Sequence, residues 1–216
     1  MNKLSEGELI TNNSVTAFID RPIARAHKFY LTGEIKNPSE YIQWFETIRN
    51  SSESDVIVFH INSHGGDLFT AIQFMRVLSE TKANIVASVE GACMSAATLI
   101  FLSAKNWEIS NHSMFMFHNY SGGTFGKGGE MYAQVSHFKG WGEKLLKDIY
   151  SKFLTPLEIK DILNNKDVWM SGEDVSKRLK KKLELEIRPI KSSTTRKKAP
   201  AKKRAKSRAP KKQTKS

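Results

Sequence analysis

Ser95 stands in the middle of VEGACMSAATLIF (89–101), an apolar stretch of small residues. A β-rich run and Gly91 precede it, and a helix-like run follows. A serine at a strand-to-helix turn puts its hydroxyl at the carboxyl edge of the sheet, where open α/β sheets place ligands. The next amide, of Ala96, is an unpaired donor at a helix start and can stabilise a developing oxyanion. Taken alone, the window favours a packing serine that bonds back to its own helix.

A second constellation is Asn62-Ser63-His64-Gly65-Gly66-Asp67. Paired glycines after a strand allow positive φ and close backbone approach. They suit a nest of N–H donors beside a reacting carbonyl, or an ordinary β–α turn. A phosphate loop fits poorly, because no Gly-Lys-Ser/Thr follows and Asp67 repels phosphate. His118 ends an apolar β-like run, and Asp167 lies in the polar turn NNKDVWMS. Each has a bland reading, as a structural histidine and a solvated loop carboxylate. His60, His112 and His137 lack paired metal spacing, and one cysteine cannot build a structural zinc site, so no metal is expected. Together, Ser95, His118, Asp167 and the amides of Gly66 and Ala96 supply nucleophile, base, orienting acid and oxyanion donors.

The elements that must position these groups alternate. FYLTGEI (29–35), DVIVFHI (55–61), IVASV (85–89) and SMFMFHNY (113–120) read as strands. Ser39 is placed to cap a helix carrying Ile42, Phe45 and Ile48, and Asp67 to open one carrying Leu68, Ile72, Met75 and Leu78. MSAATLIFLSA reads as a third helix. This order predicts an α/β domain with a largely parallel sheet. After the glycine loop SGGTFGKGG (121–129), Met131, Val135, Phe138, Leu145, Ile149 and Phe153 mark a long amphipathic helix that projects from the core. Thr155-Pro156-Leu157-Glu158 is a capping box, Ser171 with Asp174 starts another helix, and LELEIRPI (183–190) alternates as a final strand.

The chain has 216 residues, of which 39% are hydrophobic, enough for one domain with a sizeable core. The net charge of +12 is local. Residues 191–216 hold 12 Lys and Arg and no acid, which leaves 22 basic and 22 acidic residues in 1–190. That tail has no aromatic and no large aliphatic residue, so it is expected to be disordered. No apolar run reaches membrane-spanning length, and the first residues lack an apolar signal region. With Cys93 the only cysteine, a cytoplasmic setting is expected.

These residues, in this order, resemble the proteolytic subunit of the Clp protease, the family of ClpP-like serine peptidases. FYLTGEI is similar to the family's first strand after its N-terminal segment, and INSHGGD to its Ile-Asn-Ser-Pro-Gly-Gly signature. GACMSAA resembles the Gly-x-Ala-Ala-Ser-Met-Gly segment that carries the nucleophile. FMFHNYSGGTFG resembles the segment of the catalytic histidine, and DVWMSGEDV the Asp-x-Phe-x-Ser-x-x-Glu-Ala segment of the third triad member. The departures are His64 for the signature proline, Cys93-Met94 for Ala-Ala, and Ala97 for a glycine.

The resemblance implies a ClpP/crotonase-like spiral of β-β-α units over 29–190, with a projecting handle helix that joins two rings. Residues 1–28 form an N-terminal segment, partly flexible, without a defensible match. Implied catalytic residues are Ser95, His118 and Asp167, with oxyanion donors at the amides of Gly66 and Ala96 and Gly65 in the supporting loop. The activity is that of a serine endopeptidase that needs no cofactor. Implied partners are unfolded protein substrates, other copies in stacked rings and a AAA+ ATPase unfoldase. The resemblance extends to phage-encoded head-maturation proteases, and in such a setting the basic tail would hold the enzyme to nucleic acid or an acidic protein. The alternative is the same fold without proteolysis, as an inactive ring subunit or an acyl-CoA enzyme. Signal-peptide peptidase relatives use a lysine base, which His118 argues against.

Overall fold

The computed structural model describes residues 6–12, 15–21 and 24–187. The tail 191–216, with its expected disorder, lies outside the described residues. A hairpin comes first. β1 (Glu6–Asn12) pairs antiparallel with β2 (Val15–Arg21), two strands that the reading of 1–28 did not anticipate.

A six-stranded sheet carries the body. β3 (Ala26–Ile35), β4 (Val56–Gly66) and β5 (Asn84–Met94) run parallel in that spatial order. The far edge of β5 serves two short strands. Val86 to Val89 face β6 (Asn106–Ile109), and Ala92 to Met94 face β7 (Met114–Phe117), both parallel. β8 (Val168–Ser171) closes that side antiparallel to β7. The helices are α1 (Ile42–Arg49), α2 (Leu68–Glu80), α3 (Ala96–Leu102), α4 (Gly128–Tyr150), α5 (Pro156–Leu163) and α6 (Gly172–Ile187). Among the described residues no helix is long and apolar enough to cross a membrane.

The largely parallel sheet is as expected, but its strands alternate. Ile57, Phe59 and Ile61 are buried while Val58 and His60 are partly exposed. One face therefore carries the core. Phe74 of α2 sits there with Phe45 and Tyr41 at ring separations of 4.7 and 5.1 Å, and Phe59 meets it edge-on at 5.8 Å.

Several details differ from the sequence reading. Ser39 caps nothing; Asn37 caps a short 3-10 turn (Pro38–Tyr41) by accepting from the Ser39 amide at 3.1 Å. Phe45 and Ile48 are buried as expected, but Ile42 is exposed. Asp67 is the N-cap of α2, accepting from the Thr70 amide at 2.6 Å. The buried face of α2 is Thr70, Ala71, Phe74, Val77 and Leu78; of the expected row, Leu78 is buried and Leu68 and Met75 are partly buried against the core. β6 and β8 are four residues each, too short for an alternating pattern to register.

The final strand over 183–190 is wrong as far as Ile187, because α6 continues to that residue. LELEI alternates, but Val175, Leu179 and Leu183 also recur at helical spacing, and Val175 and Leu179 are buried. The capping box holds at Thr155 with Glu158, and α6 starts directly after Ser171 as expected, the Ser171 amide donating to Asp174 Oδ2 and the Asp174 amide to Ser171 Oγ, both at 3.2 Å.

Helix α4 has two characters. Its first half, residues 128–140, is almost wholly exposed, with Tyr132 at 78%. Its second half buries Gly142, Leu146 and Tyr150, a row one residue out of step with the anticipated Leu145 and Ile149.

Candidate active site

The elbow between β5 and α3 is made by Ser95, the N-cap of α3, at φ 53 and ψ −129. A non-glycine residue with positive φ is strained and persists only where its surroundings over-determine it. Three hydrogen bonds do so. The Ser95 amide donates to the Met116 carbonyl of β7 at 2.9 Å. The Ser95 carbonyl accepts from the Thr98 amide at 2.9 Å and from the Thr98 hydroxyl at 2.6 Å.

Residues 62–67 shape the opposite wall. The fully buried Ser63 hydroxyl donates to the Gly33 carbonyl at 2.6 Å and accepts from the Gly65 amide at 3.1 Å. Gly65 has φ +96, and a Cβ there would lie 2.6 Å from the Ser95 Cβ and 2.8 Å from the Met94 carbonyl oxygen. The elbow rests directly on that glycine, which explains why no side chain fits. Gly66, at φ +146, likewise lies against the Ile35 backbone.

His118 follows β7 immediately, and its Nε2 lies 2.6 Å from Ser95 Oγ. This pair opens onto a small cleft whose walls include Gly66, Ala96 and Asn119. Leu68, Leu99 and Leu146 give it an apolar lining, and Tyr120 and Tyr150 also border it. Ala96 is the first residue of α3, so its amide has no acceptor within the helix.

Asp167 is placed less tightly. Phe117 and Val168 form the last pair of the antiparallel β7–β8 register, so His118 and Asp167 each lie one residue beyond the same pair. The side chain is exposed and, among the described contacts, makes no hydrogen bond to His118. The turn before it is held from the histidine's side: Asn119 Nδ2 donates to Asn165 Oδ1 at 3.0 Å, and Asn165 has φ 61.

Cys93 is fully buried beneath the elbow, and burial pushes its thiol up, so it stays protonated. Burial also pushes the Tyr150 phenol up, against a smaller opposite pull from its bond to Thr98. Among the described residues no three His, Cys, Asp or Glu side chains cluster as metal ligands.

The sequence reading missed Thr98, Tyr120 and Tyr150, and gave Ser63 no role of its own within the 62–67 segment. Thr98 carried one signal, a hydroxyl three residues into the helix that Ser95 opens. Tyr120 lies across α4, where a Cβ on Gly142 would meet its ring 2.7 Å from Cδ1.

A mixed α/β fold that presents a serine hydroxyl to an imidazole at a sheet's carboxyl edge defines a class of proteins built around this elbow. Within that class the model of the Clp protease family matches residues 16–178, and the chain belongs to that family. A search of the curated proteins found no match.

Proposed function

We propose that the protein is a serine endopeptidase with Ser95 as nucleophile and His118 as general base. The observation that carries this is the 2.6 Å approach of His118 Nε2 to Ser95 Oγ on the strained elbow. His118 takes the Ser95 proton as Oγ attacks a peptide carbonyl. The amides of Gly66 and Ala96 hold the oxyanion. The tetrahedral adduct collapses as His118 returns the proton to the leaving amine, which gives an acyl-enzyme. Water, deprotonated by His118, then hydrolyses the ester and frees Ser95. Asp167 is assigned the role of accepting from His118 Nδ1 during the reaction, a bond the structure does not contain, to fix the tautomer and stabilise the imidazolium. Its support is the strand register and the matching DVWMSGEDV segment.

The second reading is a non-proteolytic subunit of the same fold. The exposure of Asp167 and its missing bond to His118 favour it. A fluorophosphonate probe separates the two. Under the first reading it labels the wild type on Ser95 and leaves Ser95→Ala untouched. Label that persists in Ser95→Ala overturns the assignment, and an unlabelled wild type favours the inactive subunit.

Proteins of this family typically form oligomeric rings and act on peptides. The reading extends to stacked rings in the cytoplasm, with the exposed half of α4 between them and an ATPase unfoldase or a phage head-maturation role as the source of substrate. Native mass measurement with and without a candidate ATPase tests the assembly. The 12 positive charges of 191–216 supply affinity for nucleic acid or an acidic protein that falls steeply with salt.

A further inference from the structure

Tyr150 is the last residue of α4, 1% exposed, and its hydroxyl lies 2.9 Å from Thr98 Oγ1. The direction of that bond follows from counting protons. Thr98 Oγ1 has one proton, and its 2.6 Å contact with the Ser95 carbonyl requires that proton, because a carbonyl can only accept. Tyr150 must therefore donate to Thr98, and Thr98 to Ser95. Burial keeps the phenol protonated and able to donate.

The target of this chain is the carbonyl of the strained residue. Its orientation is set by ψ of Ser95, as φ sets that of the amide bonded to Met116. Two elements outside the elbow thus hold its two torsions, β7 through the amide and α4 through the carbonyl. A threonine donating to its own helix's cap residue is a local contact. A tyrosine 52 residues away that polarises that threonine is a tertiary one. Both hydroxyls are buried where water cannot substitute for a missing partner.

We infer that Tyr150 is a positioning residue for the nucleophile: through Thr98 it holds the Ser95 carbonyl, and with it the direction of Oγ toward His118. The inference rests on Ser95 being the nucleophile, but the hydrogen-bonded chain is tested separately from the chemistry.

The variants are Tyr150→Phe, Thr98→Val, their combination and Thr98→Ser, each in the full chain and compared at equal folded fraction. Two readouts are used: amide hydrogen exchange over residues 95–99, and the rate of fluorophosphonate capture of Ser95. Tyr150→Phe is expected to speed exchange at the elbow and slow capture by about five- to tenfold, the scale of one buried hydrogen bond. KM for a short fluorogenic peptide should stay within about twofold, since the change is in orientation rather than substrate contact. Thr98→Val should lose as much, the double variant should lose no more than Thr98→Val alone, and Thr98→Ser should recover the larger part. Unchanged exchange and capture in Tyr150→Phe, with only a lowered melting temperature, overturns the inference and leaves a packing tyrosine. So do losses that multiply in the double variant. If the wild type itself is not captured, the peptidase reading fails, and the exchange measurement still decides the role of Tyr150.

Discussion

The Ser95 amide donates to the carbonyl of Met116 at 2.9 Å, and Met116 lies two residues before His118 on the same strand run. One hydrogen bond therefore ties the elbow to the segment that delivers the imidazole. The 2.6 Å approach of His118 Nε2 to Ser95 Oγ is a consequence of strand β7 docking beside β5 rather than of two independently placed side chains.

Replacing the imidazole tests that coupling. His118→Ala is expected to lower kcat for a fluorogenic peptide by about 10³-fold or more, and Ser95→Ala with His118→Ala should be no worse than Ser95→Ala alone. Losses that multiply would show the two groups acting separately.

Gly65→Ala addresses the wall behind the nucleophile. Its Cβ would lie 2.6 Å from that of Ser95 at a φ of +96. It is expected to cost about 2 kcal/mol or more of stability, as a residue strained at its backbone and overpacked, and to abolish peptidase activity. Thermal melting with a peptide assay measures both; a variant with native activity would mean that the elbow does not rest on this glycine.

Asp167 separates catalysis from stability. The carboxylate is exposed and, among the described contacts, has no hydrogen bond, so Asp167→Asn should shift the melting temperature little. As the orienting acid, its loss should cost kcat up to about 10⁴-fold, because the amide supports the wrong histidine tautomer. An unaffected kcat would remove Asp167 from the mechanism.

Arg178 grips Glu158 with two bonds, 2.8 and 2.6 Å, joining α6 to the cap of α5. Arg178, reinforced by Thr155, pulls the Glu158 carboxyl down to about 2 from the ordinary 4.5. A carboxylate with a depressed folded-state pKa contributes stability that is fully present above the unfolded value and lost as pH falls through the folded one. Glu158→Gln should therefore be less stable than the wild type at neutral pH, by on the order of 1 kcal/mol after solvent screening, and the difference should shrink between pH 4.5 and 2. Urea titrations at several pH values measure it; a constant difference would assign the loss to the capping geometry.

Much of this was legible in the chain. Strands with β-rich runs ended by glycine, and helices opened by Asp67 and Thr155, announce themselves through local chemistry. Ser95 was ambiguous until residues far away in sequence stood beside it. What stayed hidden depends on register and on long-range hydrogen bonds. Asp167 lies one residue beyond the pair next to His118 only because VWMS becomes a strand, and that strand forms only because β7 offers an edge. Tyr150 fell outside the apolar row read along α4, and nothing in its sequence neighbours points to Thr98. The misread end of α6 has a plainer cause: LELEI satisfies both periods, and Val175 and Leu179 had already committed the helix.

The elbow also restricts which nucleophiles this scaffold can try. At φ 53 and ψ −129 a residue branched at Cβ is disfavoured, whereas an unbranched one is admitted. A thiol at position 95 is therefore one substitution from a working geometry, and a secondary alcohol is not, although threonine keeps the hydroxyl. The backbone, before any chemistry, narrows the route by which descendants of this chain could exchange an oxygen ester for a thioester.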